Sequence, residues 1–113
     1  MKQAEIWEIN LNPTIGVEIK KKRPAVIVND NAIGILPLKV IVPITAWKDR
    51  YQGAIWMVRI EPDSENTLSK LSAIDTFQIR SISTKRLLRK IGSVSSKILD
   101  DVKTAIKAVI DAD

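Results

Sequence analysis

Apolar residues in the first eighty positions occur in short runs separated by polar turns. The Gly and Pro residues are spread between these runs, and neither an internal repeat nor a low-complexity linker is found. Runs of this length that are rich in Val and Ile predict β-strands. The five predicted strands are residues 5–10 (EIWEIN), 25–29 (AVIVN), 38–45 (LKVIVPIT), 54–60 (AIWMVRI) and 73–82 (AIDTFQIRSI). Their spacing predicts a small closed or nearly closed β-barrel.

The apolar period changes near the C-terminus, where apolar residues recur every three to four positions. This spacing predicts an amphipathic helix with Lys and Asp on its other face. Ser95 is a candidate N-cap, and residues 83–90 (STKRLLRK) are predicted to form one further short helix. We therefore expect one domain, residues 1–113, that is mainly β with appended α-helices. The apolar positions of the C-terminal helix are Ile98, Leu99, Val102, Ala105, Ile106 and Val109.

Composition narrows the possible chemistry, because the chain contains neither histidine nor cysteine. The usual general base, the thiolate nucleophile and the commonest metal ligands are therefore missing. Acid–base chemistry would have to use carboxylates, Lys, Arg, Tyr or hydroxyl groups. We expect no metal site and no cofactor, and the neighbouring Asp100 and Asp101 are better explained as a surface pair.

Charge and hydropathy indicate the kind of partner and the compartment. The formal net charge is +5 and the isoelectric point is about 9.6, which suits a polyanionic partner. The N-terminus has no signal-peptide h-region, and the longest apolar stretch falls far short of the roughly 20 residues that a membrane span needs. We expect a cytoplasmic protein without membrane contact, and the lack of cysteine fits a reducing compartment.

The stretch NPTIGVEIKKKRPAVIV, residues 12–28, places four positive charges directly before an apolar strand. Arg23 precedes Pro24, whose ring favours an extended Arg23 backbone, so the following strand holds this arginine on a rigid element. Arginine is suited to bidentate phosphate contact, whereas lysines act as flexible point charges. The alternative is a solvated basic loop that keeps the chain soluble. The lysines are Lys20, Lys21 and Lys22.

Two further side chains are candidates for the same site. Glu18 lies in the basic loop and could accept a proton or form a salt bridge, and Thr45 ends a second apolar strand and could supply a hydroxyl. A carboxylate, an arginine and a hydroxyl could cleave RNA with the substrate's own 2′-hydroxyl as nucleophile. DNA lacks that group and would be inert. Sequence spacing alone does not establish that these residues converge, so the solvated loop remains an alternative.

Five segments in register over nearly the entire chain resemble the MazF/PemK toxins of type II toxin-antitoxin systems. They are EIWEINLNPTIGVEIKKKRPAVIV (5–28), VIVPIT (40–45), DTFQIRSIS (75–83), KRLLRKIGSVS (85–95) and the final amphipathic helix. The resemblance implies an SH3-like barrel of the PemK/CcdB type and a homodimer. It implies a metal-independent endoribonuclease that cuts single-stranded RNA or mRNA at short sequences, leaving 2′,3′-cyclic phosphate and 5′-hydroxyl ends. It also implies a cognate antitoxin whose flexible acidic segment covers the RNA groove, and DNA binding together with that antitoxin.

Mapped onto this family, the catalytic arginine falls on Arg23, the threonine on Thr45 and the loop glutamate on Glu18. The chain departs from the family at two places. Ala4 replaces the Gly that usually precedes EIW, which concerns only the local turn. At the second place, Phe77 stands directly before QIR, where many relatives have an acid. Asp75, two residues earlier, would keep the same strand face, but a shift of about 6 to 7 Å along the strand is large for proton transfer.

Further RNA contacts are expected from side chains near these motifs. Trp47 is suited to stack an unpaired base, and the alternative is that it plugs the barrel end or the dimer seam. Gln78 could read a base edge, and Arg80 could support the site or bridge strands. The expected RNA-binding residues are Lys20, Lys21, Lys22, Trp47, Asp75, Gln78 and Arg80.

Two other functions are compatible with the same fold. One is a CcdB-like gyrase poison, which acts by protein binding without hydrolysis, although the C-terminal AVIDAD contains nothing that favours it. The other is a catalytically inactive module that binds RNA or an antitoxin. A fold alone does not decide between these functions, so the decision depends on the site residues.

Overall fold

The computed structural model describes residues 1–11, 22–34 and 37–112, and these residues form seven β-strands and one α-helix. Lys22 and Arg23 lie inside the second strand, which begins three residues before the predicted segment and ends two residues earlier than predicted. The strands are β1 Glu5–Asn10, β2 Lys22–Ile27, β3 Leu38–Ala46, β4 Met57–Ile60, β5 Ser72–Asp75, β6 Arg80–Ser83 and β7 Leu87–Ser93, and the helix is α1 Ser96–Val109.

The strands form an antiparallel sheet in the order β4-β5-β3-β2-β1-β7, and β6 pairs with β3 beside this path. The long β3 strand has two partners on one side: residues 38–41 pair with β6, and residues 44–46 pair with β5. Pro43 lies between these two pairings, where its missing N–H interrupts neither ladder. The mainly antiparallel β fold with a C-terminal helix is confirmed. Closure into an SH3-like barrel stays a prediction, because β4 and β7 end the strand order.

The sheet buries apolar side chains on both of its faces. On one face, which we call the helix side, α1 inserts Val102 and Ala105 against strand residues such as Val26 and Ile44. The other face, the far side, has a smaller core of Ile9, Leu11, Ala25, Ile27, Ile41, Ile82 and Leu87. Because side chains alternate along a strand, Arg23 shares the far side with Ala25 and Ile27.

The C-terminal helix forms as the periodicity predicts. Its N-cap is Ser95, whose Oγ accepts a hydrogen bond from the Ile98 N–H at 3.2 Å, so the predicted cap is confirmed. Asp101 forms an ion pair with Lys97 at 3.0 Å. This contact fits the prediction that Asp100 and Asp101 are surface carboxylates. Among the described residues, no helix is both long enough and apolar enough to cross a membrane.

The prediction of one strand over residues 73–82 is wrong. The structure has β5, a 3-10 turn at residues 76–78, and then β6. Asp75 starts the turn, because its Oδ1 accepts the Phe77 N–H at 3.1 Å. Thr76 completes it by donating its hydroxyl and its N–H to the Trp56 carbonyl at 2.6 and 3.0 Å. Side-chain capping by Asp and Thr therefore diverts the backbone from the strand that the apolar pattern indicates.

The predicted helix over residues 83–90 is also wrong. A 3-10 turn at residues 84–86, capped by Ser83, leads into β7, which pairs with β1. Residues such as Leu87 and Arg89 have high intrinsic helix propensity, but the exposed edge of β1 offers antiparallel pairing along β7, with two register shifts. Tertiary pairing therefore overrides the local preference in this segment.

Candidate functional site

The strand register brings Arg23 and Thr45 together. Between β2 and β3, Ala25 pairs with Pro43 and Ile27 pairs with Ile41. Continuing the same register by two residues places Arg23 directly across from Thr45. The contact is present, since Arg23 Nη1 donates to Thr45 Oγ1 at 3.4 Å, at the long end for a hydrogen bond. Two residues that are 22 positions apart in sequence therefore converge as predicted.

The described residues satisfy the hydrogen-bonding capacity of the Arg23 guanidinium only in part. The side chain is half-buried, and its buried Nε has no hydrogen-bond partner among the described residues. Within those residues it also has no ion-pair partner. An unpaired buried donor costs about 1–3 kcal/mol, and such groups in native structures often belong to functional sites. Arg23 therefore has positive charge and donor capacity in excess of what the described residues use.

A pocket of about 250 Å³ opens beside this pair. β2 and β3 supply one wall, and the segment between β4 and β5 supplies the other through Ser69 and Lys70. Sequence reasoning missed both of these residues, because nothing in their local pattern indicates which strand they face. The described lining residues are Arg23, Pro24, Ile44, Thr45, Ala46, Leu68, Ser69, Lys70 and Ser72.

An aromatic and cationic cluster continues the far side from Thr45. The Trp47 N–H donates to the Leu71 carbonyl at 3.1 Å, which extends the β3–β5 ladder by one step. The Arg59 guanidinium lies 5.5 Å from the centroid of the Trp47 ring, and Tyr51 meets the same ring edge-on at 5.9 Å. Trp47 is thus held by its neighbours, and Arg59 is a second basic residue that sequence reasoning missed.

The position of Arg59 follows from one row of cross-strand pairs. Arg59 pairs with Ala73, and Ala73 pairs with Thr45. With Arg23 next in the row, two arginines flank a small alanine and a threonine on one face of the sheet. Alternation along β4, where Val58 and Ile60 are buried on the helix side, is the sequence signal that could have placed Arg59 on this face.

The three predicted residues around the 3-10 turn lie outside the pocket lining. Asp75 is 6% exposed, and its Oδ2 accepts a hydrogen bond from Gln78 Nε2 at 3.0 Å. Its other oxygen caps the turn, so the carboxylate is already engaged in holding the backbone. Arg80 opens β6 opposite Ile41, on the far side of the sheet. The roles of Asp75, Gln78 and Arg80 in RNA binding stay predictions.

The basic loop itself is described only at its end. Lys22 is exposed at the start of β2, next to Arg23. Glu18, Lys20 and Lys21 lie outside the described residues, so their predicted roles also remain predictions. In the part of the chain that is described, no group of three acidic, histidine or cysteine residues could hold a metal ion.

Comparison with known proteins assigns the family. The model of the "PemK-like, MazF-like toxin of type II toxin-antitoxin system" family matches residues 2–110. Endoribonuclease MazF9 of Mycobacterium tuberculosis (strain ATCC 25618 / H37Rv) is 30% identical over 118 residues, covering 98% of this chain and 97% of that protein.

Solved structures support the fold independently. MazF from Deinococcus radiodurans superposes with a TM-score of 0.79 at 18% identity, covering 98% of this chain and 96% of that one. An endoribonuclease from Mycobacterial species, in complex with its cognate antitoxin, gives 0.77 at 16% identity, with 98% and 95% covered. The family predicted from the five sequence segments is confirmed: this chain belongs to the PemK-like, MazF-like toxins of type II toxin-antitoxin systems.

Proposed function

We propose that this toxin is a metal-independent, sequence-specific endoribonuclease that cleaves single-stranded RNA, including mRNA. The observation that carries the proposal is the contact of Arg23 with Thr45 at the edge of an open pocket. This arrangement offers a rigidly mounted cation and a hydroxyl where a phosphodiester can enter. The name of the Mycobacterium tuberculosis relative, an endoribonuclease, supports the same activity.

The proposed reaction uses the substrate's own nucleophile. The 2′-oxygen bonds to phosphorus while the bond from phosphorus to the 5′-oxygen breaks, so the products are a 2′,3′-cyclic phosphate and a 5′-hydroxyl. A carboxylate takes the proton of the 2′-hydroxyl, and Glu18 is our candidate for this base. The leaving 5′-oxygen takes up a proton in turn, either from the protonated carboxyl or from water.

Arg23 supplies the electrostatic part of this mechanism. Charge develops on the non-bridging oxygens as phosphorus becomes pentacoordinate, and a guanidinium already fixed nearby stabilises that charge without reorganisation. Thr45 Oγ1 orients the guanidinium through the 3.4 Å contact and adds a hydroxyl on the same face. Around this centre we propose RNA contacts from Lys20, Lys21, Lys22, Trp47, Asp75, Gln78 and Arg80.

The partner proposals follow from the family. We propose a cognate antitoxin whose acidic segment competes with RNA for the basic face, and a homodimer as the active form in the cytoplasm. An antitoxin accompanies one of the similar solved structures. The net charge of +5 suits both an acidic protein segment and RNA.

The decisive experiment incubates the purified protein with a long single-stranded RNA in excess EDTA and maps the 5′-hydroxyl ends. We expect cuts at a recurring short sequence, and no cuts in DNA of the same sequence or in RNA that carries a 2′-deoxy sugar at the cleaved position. Absence of cutting, or cutting only after divalent ions are added, would overturn the proposal. Intact RNA together with inhibition of gyrase would instead favour the gyrase-poison alternative.

Variants of the central pair test the assigned roles. Arg23→Ala is expected to lower the cleavage rate by roughly 100- to 1000-fold, the usual effect of removing one transition-state donor. Thr45→Ala is expected to lower it by about tenfold, because a long contact is lost rather than a charge. Arg89→Ala on β7 removes the same charge from an exposed position and serves as the control. Equal activity of the Arg23 and Arg89 variants would remove Arg23 from the mechanism.

A further inference from the structure

The segment between β4 and β5, residues 61–71, is fixed internally by a buried asparagine. Asn66 is 1% exposed, and its Oδ1 accepts hydrogen bonds from the N–H groups of Asp63 at 3.1 Å and Leu68 at 2.9 Å. Its Nδ2 donates to the Glu61 carbonyl at 2.9 Å. A buried amide with three backbone bonds holds its segment in one conformation.

The same segment is tied to the opposite end of the sheet. The Thr67 hydroxyl donates to the Ile91 carbonyl at 2.7 Å, and the Ser93 N–H donates to the Glu65 carbonyl at 3.0 Å. Gly92 makes this approach possible, since a Cβ there would lie 2.5 Å from the Glu65 carbonyl oxygen. The segment is therefore anchored on β7 and does not behave as a free hairpin loop.

A third set of bonds fixes the backbone immediately around Lys70. The buried Ser72 donates its hydroxyl to the Lys70 carbonyl at 2.8 Å, and the Trp47 N–H donates to the carbonyl of Leu71 at 3.1 Å. The Lys70 residue is nevertheless exposed, and it forms no ion pair within the described residues. A rigid backbone thus presents to solvent an ammonium group that pairs with none of the described carboxylates.

Lys70 and its neighbour Ser69 line one wall of the pocket described above. Arg23 and Thr45 line the opposite wall. A lysine that served only solubility would need no such support. Fixing backbone costs conformational entropy, and this segment offsets that cost with the hydrogen bonds of Asn66, Thr67 and Ser72. The result is two cations on separate rigid elements around one opening of about 250 Å³.

We propose that Lys70 is a substrate-binding residue whose ammonium group contacts a non-bridging phosphate oxygen of the RNA strand held at Arg23 and Thr45. The proposal rests on the ribonuclease function proposed above. Lysine acts here as a point charge that accepts several phosphate orientations, whereas Arg23 supplies the directional contact. Two separated phosphate contacts fix the strand's path through the pocket, with Ser69 as an additional hydroxyl donor beside it.

The test compares Lys70→Ala with Lys103→Ala, which removes the same charge from the exposed surface of α1. The probe is a single-stranded RNA with a 2′-deoxy sugar at the cleaved position, so that binding is measured without cleavage. We expect about a tenfold weaker affinity for Lys70→Ala, and a slope of log K against log salt that is smaller by about 0.7, the contribution of one phosphate contact. Lys70→Arg is expected to restore the slope.

With cleavable RNA, Lys70→Ala is expected to raise KM by about tenfold with a smaller change in kcat, since the contact is made before the reaction. An unchanged salt slope and affinity, equal to those of Lys103→Ala, would overturn the proposal. The two hypotheses remain separable. Wild-type protein that cuts no RNA would overturn the proposed function, while the salt slope for binding of the unmodified RNA, which then stays intact, still decides the role of Lys70.

Discussion

Glu5, at the start of β1, has the largest pKa shift among the described residues. Burial raises the pKa of its carboxyl, but hydrogen bonds from Trp7 Nε1 at 3.0 Å and the Lys2 N–H at 2.9 Å outweigh this. Lys90 Nζ, at 3.2 Å, and the Met1 amine, at 3.3 Å, lower the pKa further, to about 2. The ionised carboxylate therefore ties β1 to β7.

This shift predicts a pH dependence of stability. Because the pKa of Glu5 is lower in the folded state than its ordinary value of 4.5, its contribution is complete above that value and is lost as pH falls toward about 2. Glu5→Gln is expected to lower the free energy of unfolding at pH 7 by about 1–2 kcal/mol and to flatten its decline in acid. Urea titrations across pH measure both effects.

The control for Glu5 is Glu61→Gln, because Glu61 is exposed and pairs only loosely with Arg59 at 3.7 Å. A surface pair of this kind contributes little, so stability should change by less than about 0.5 kcal/mol. If the free energy of unfolding of Glu5→Gln fell in acid as steeply as that of the wild type, another carboxylate would be responsible for the decline.

The backbone conformation of Ala4 accounts for the glycine that the family resemblance leads us to expect before EIW. Its φ is +75°, in the left-handed region that L-residues other than Gly avoid. The conformation is imposed by two backbone bonds, from the Ala4 N–H to the Ile27 carbonyl at 2.8 Å and from the Val94 N–H to the Ala4 carbonyl at 2.9 Å. The sequence comparison indicated a local turn, and the structure gives its backbone cause.

Ala4→Gly is therefore expected to stabilise the protein. Relief of left-handed strain is worth about 1–2 kcal/mol, and the greater freedom of Gly in the unfolded chain removes up to about 1 kcal/mol of that gain. We expect a net gain below about 1 kcal/mol, seen as a higher urea midpoint with an unchanged m-value. Ala108→Gly on the exposed face of α1 should have the opposite sign, and a loss of stability in both variants would contradict the strain argument.

The site residues divide into those that sequence could predict and those that it could not. Arg23 and Thr45 were accessible because strand assignment, phosphate chemistry and the family resemblance all indicate them. Arg59 and Lys70 could not be predicted in this way. The position of Arg59 depends on the register between β4 and β5, and that of Lys70 depends on the path of residues 61–71 from β4 to β5. Those features are set by long-range hydrogen bonds that leave little local pattern.

At the scale of elements, the contact between residues 61–71 and β7 is tight, with two hydrogen bonds and a close backbone approach at Gly92. Gly92→Ala would place a Cβ 2.5 Å from the Glu65 carbonyl oxygen and 2.8 Å from that of Asn66. These atoms belong to backbone, which relieves the overlap only by moving the segment. We expect a loss of about 1–3 kcal/mol in the free energy of unfolding, measured by urea denaturation.

The matched control is Ser93→Ala, which alters the same strand without adding volume. The Gly92 variant should also weaken binding of the uncleavable RNA, because the displaced segment contains Lys70. Unchanged stability in Gly92→Ala would show that the segment moves without cost, contrary to the rigidity inferred for it.

Strongly periodic elements were predictable from the sequence, and elements defined by pairing were less so. The apolar stripe of α1, its cap at Ser95, and the strands β1 and β3 follow from local pattern. The path of residues 76–90 does not, since capping by Asp75 and pairing with β1 decide it. The local pattern favours a strand up to residue 82 and a helix over residues 83–90, and the cap at Asp75 and the free edge of β1 prevail over these preferences.

At the scale of the whole molecule, the described residues form a cationic surface and an exposed apolar patch that meet at Arg59, which packs on Trp47 and also lines the hollow between β4 and α1. Arg23, Lys70 and Arg59 surround the pocket and its neighbouring far-side surface. Three apolar residues cluster elsewhere, around β4 and the 3-10 turn: Ile55 is 69% exposed, Phe77 is 67% exposed, and Trp56 meets Phe77 edge-on at 6.2 Å. A hollow of about 570 Å³ between β4 and α1 continues this apolar patch.

Exposed apolar patches often mark protein interfaces. The acidic antitoxin segment proposed above would complement the basic face, so we expect a second copy of the chain to cover the apolar patch and form the proposed homodimer. Ile55→Ser combined with Phe77→Ser is expected to weaken dimerisation at least tenfold, since exposed aromatic anchors often carry most of the interface energy. Sedimentation velocity would show the shift from twice the chain mass of 12.6 kDa toward the monomer.

Ile33→Ser is the control for this prediction, because Ile33 is equally exposed at 67% but lies beside β3 and β6. It should leave the dimer intact, and circular dichroism should show both variants folded. A dimer that survived the double substitution while binding of the antitoxin was lost would assign the patch to the antitoxin instead. Because the patch lies apart from the pocket, loss of dimer with retained RNA binding would further show that each chain contains a complete phosphate site.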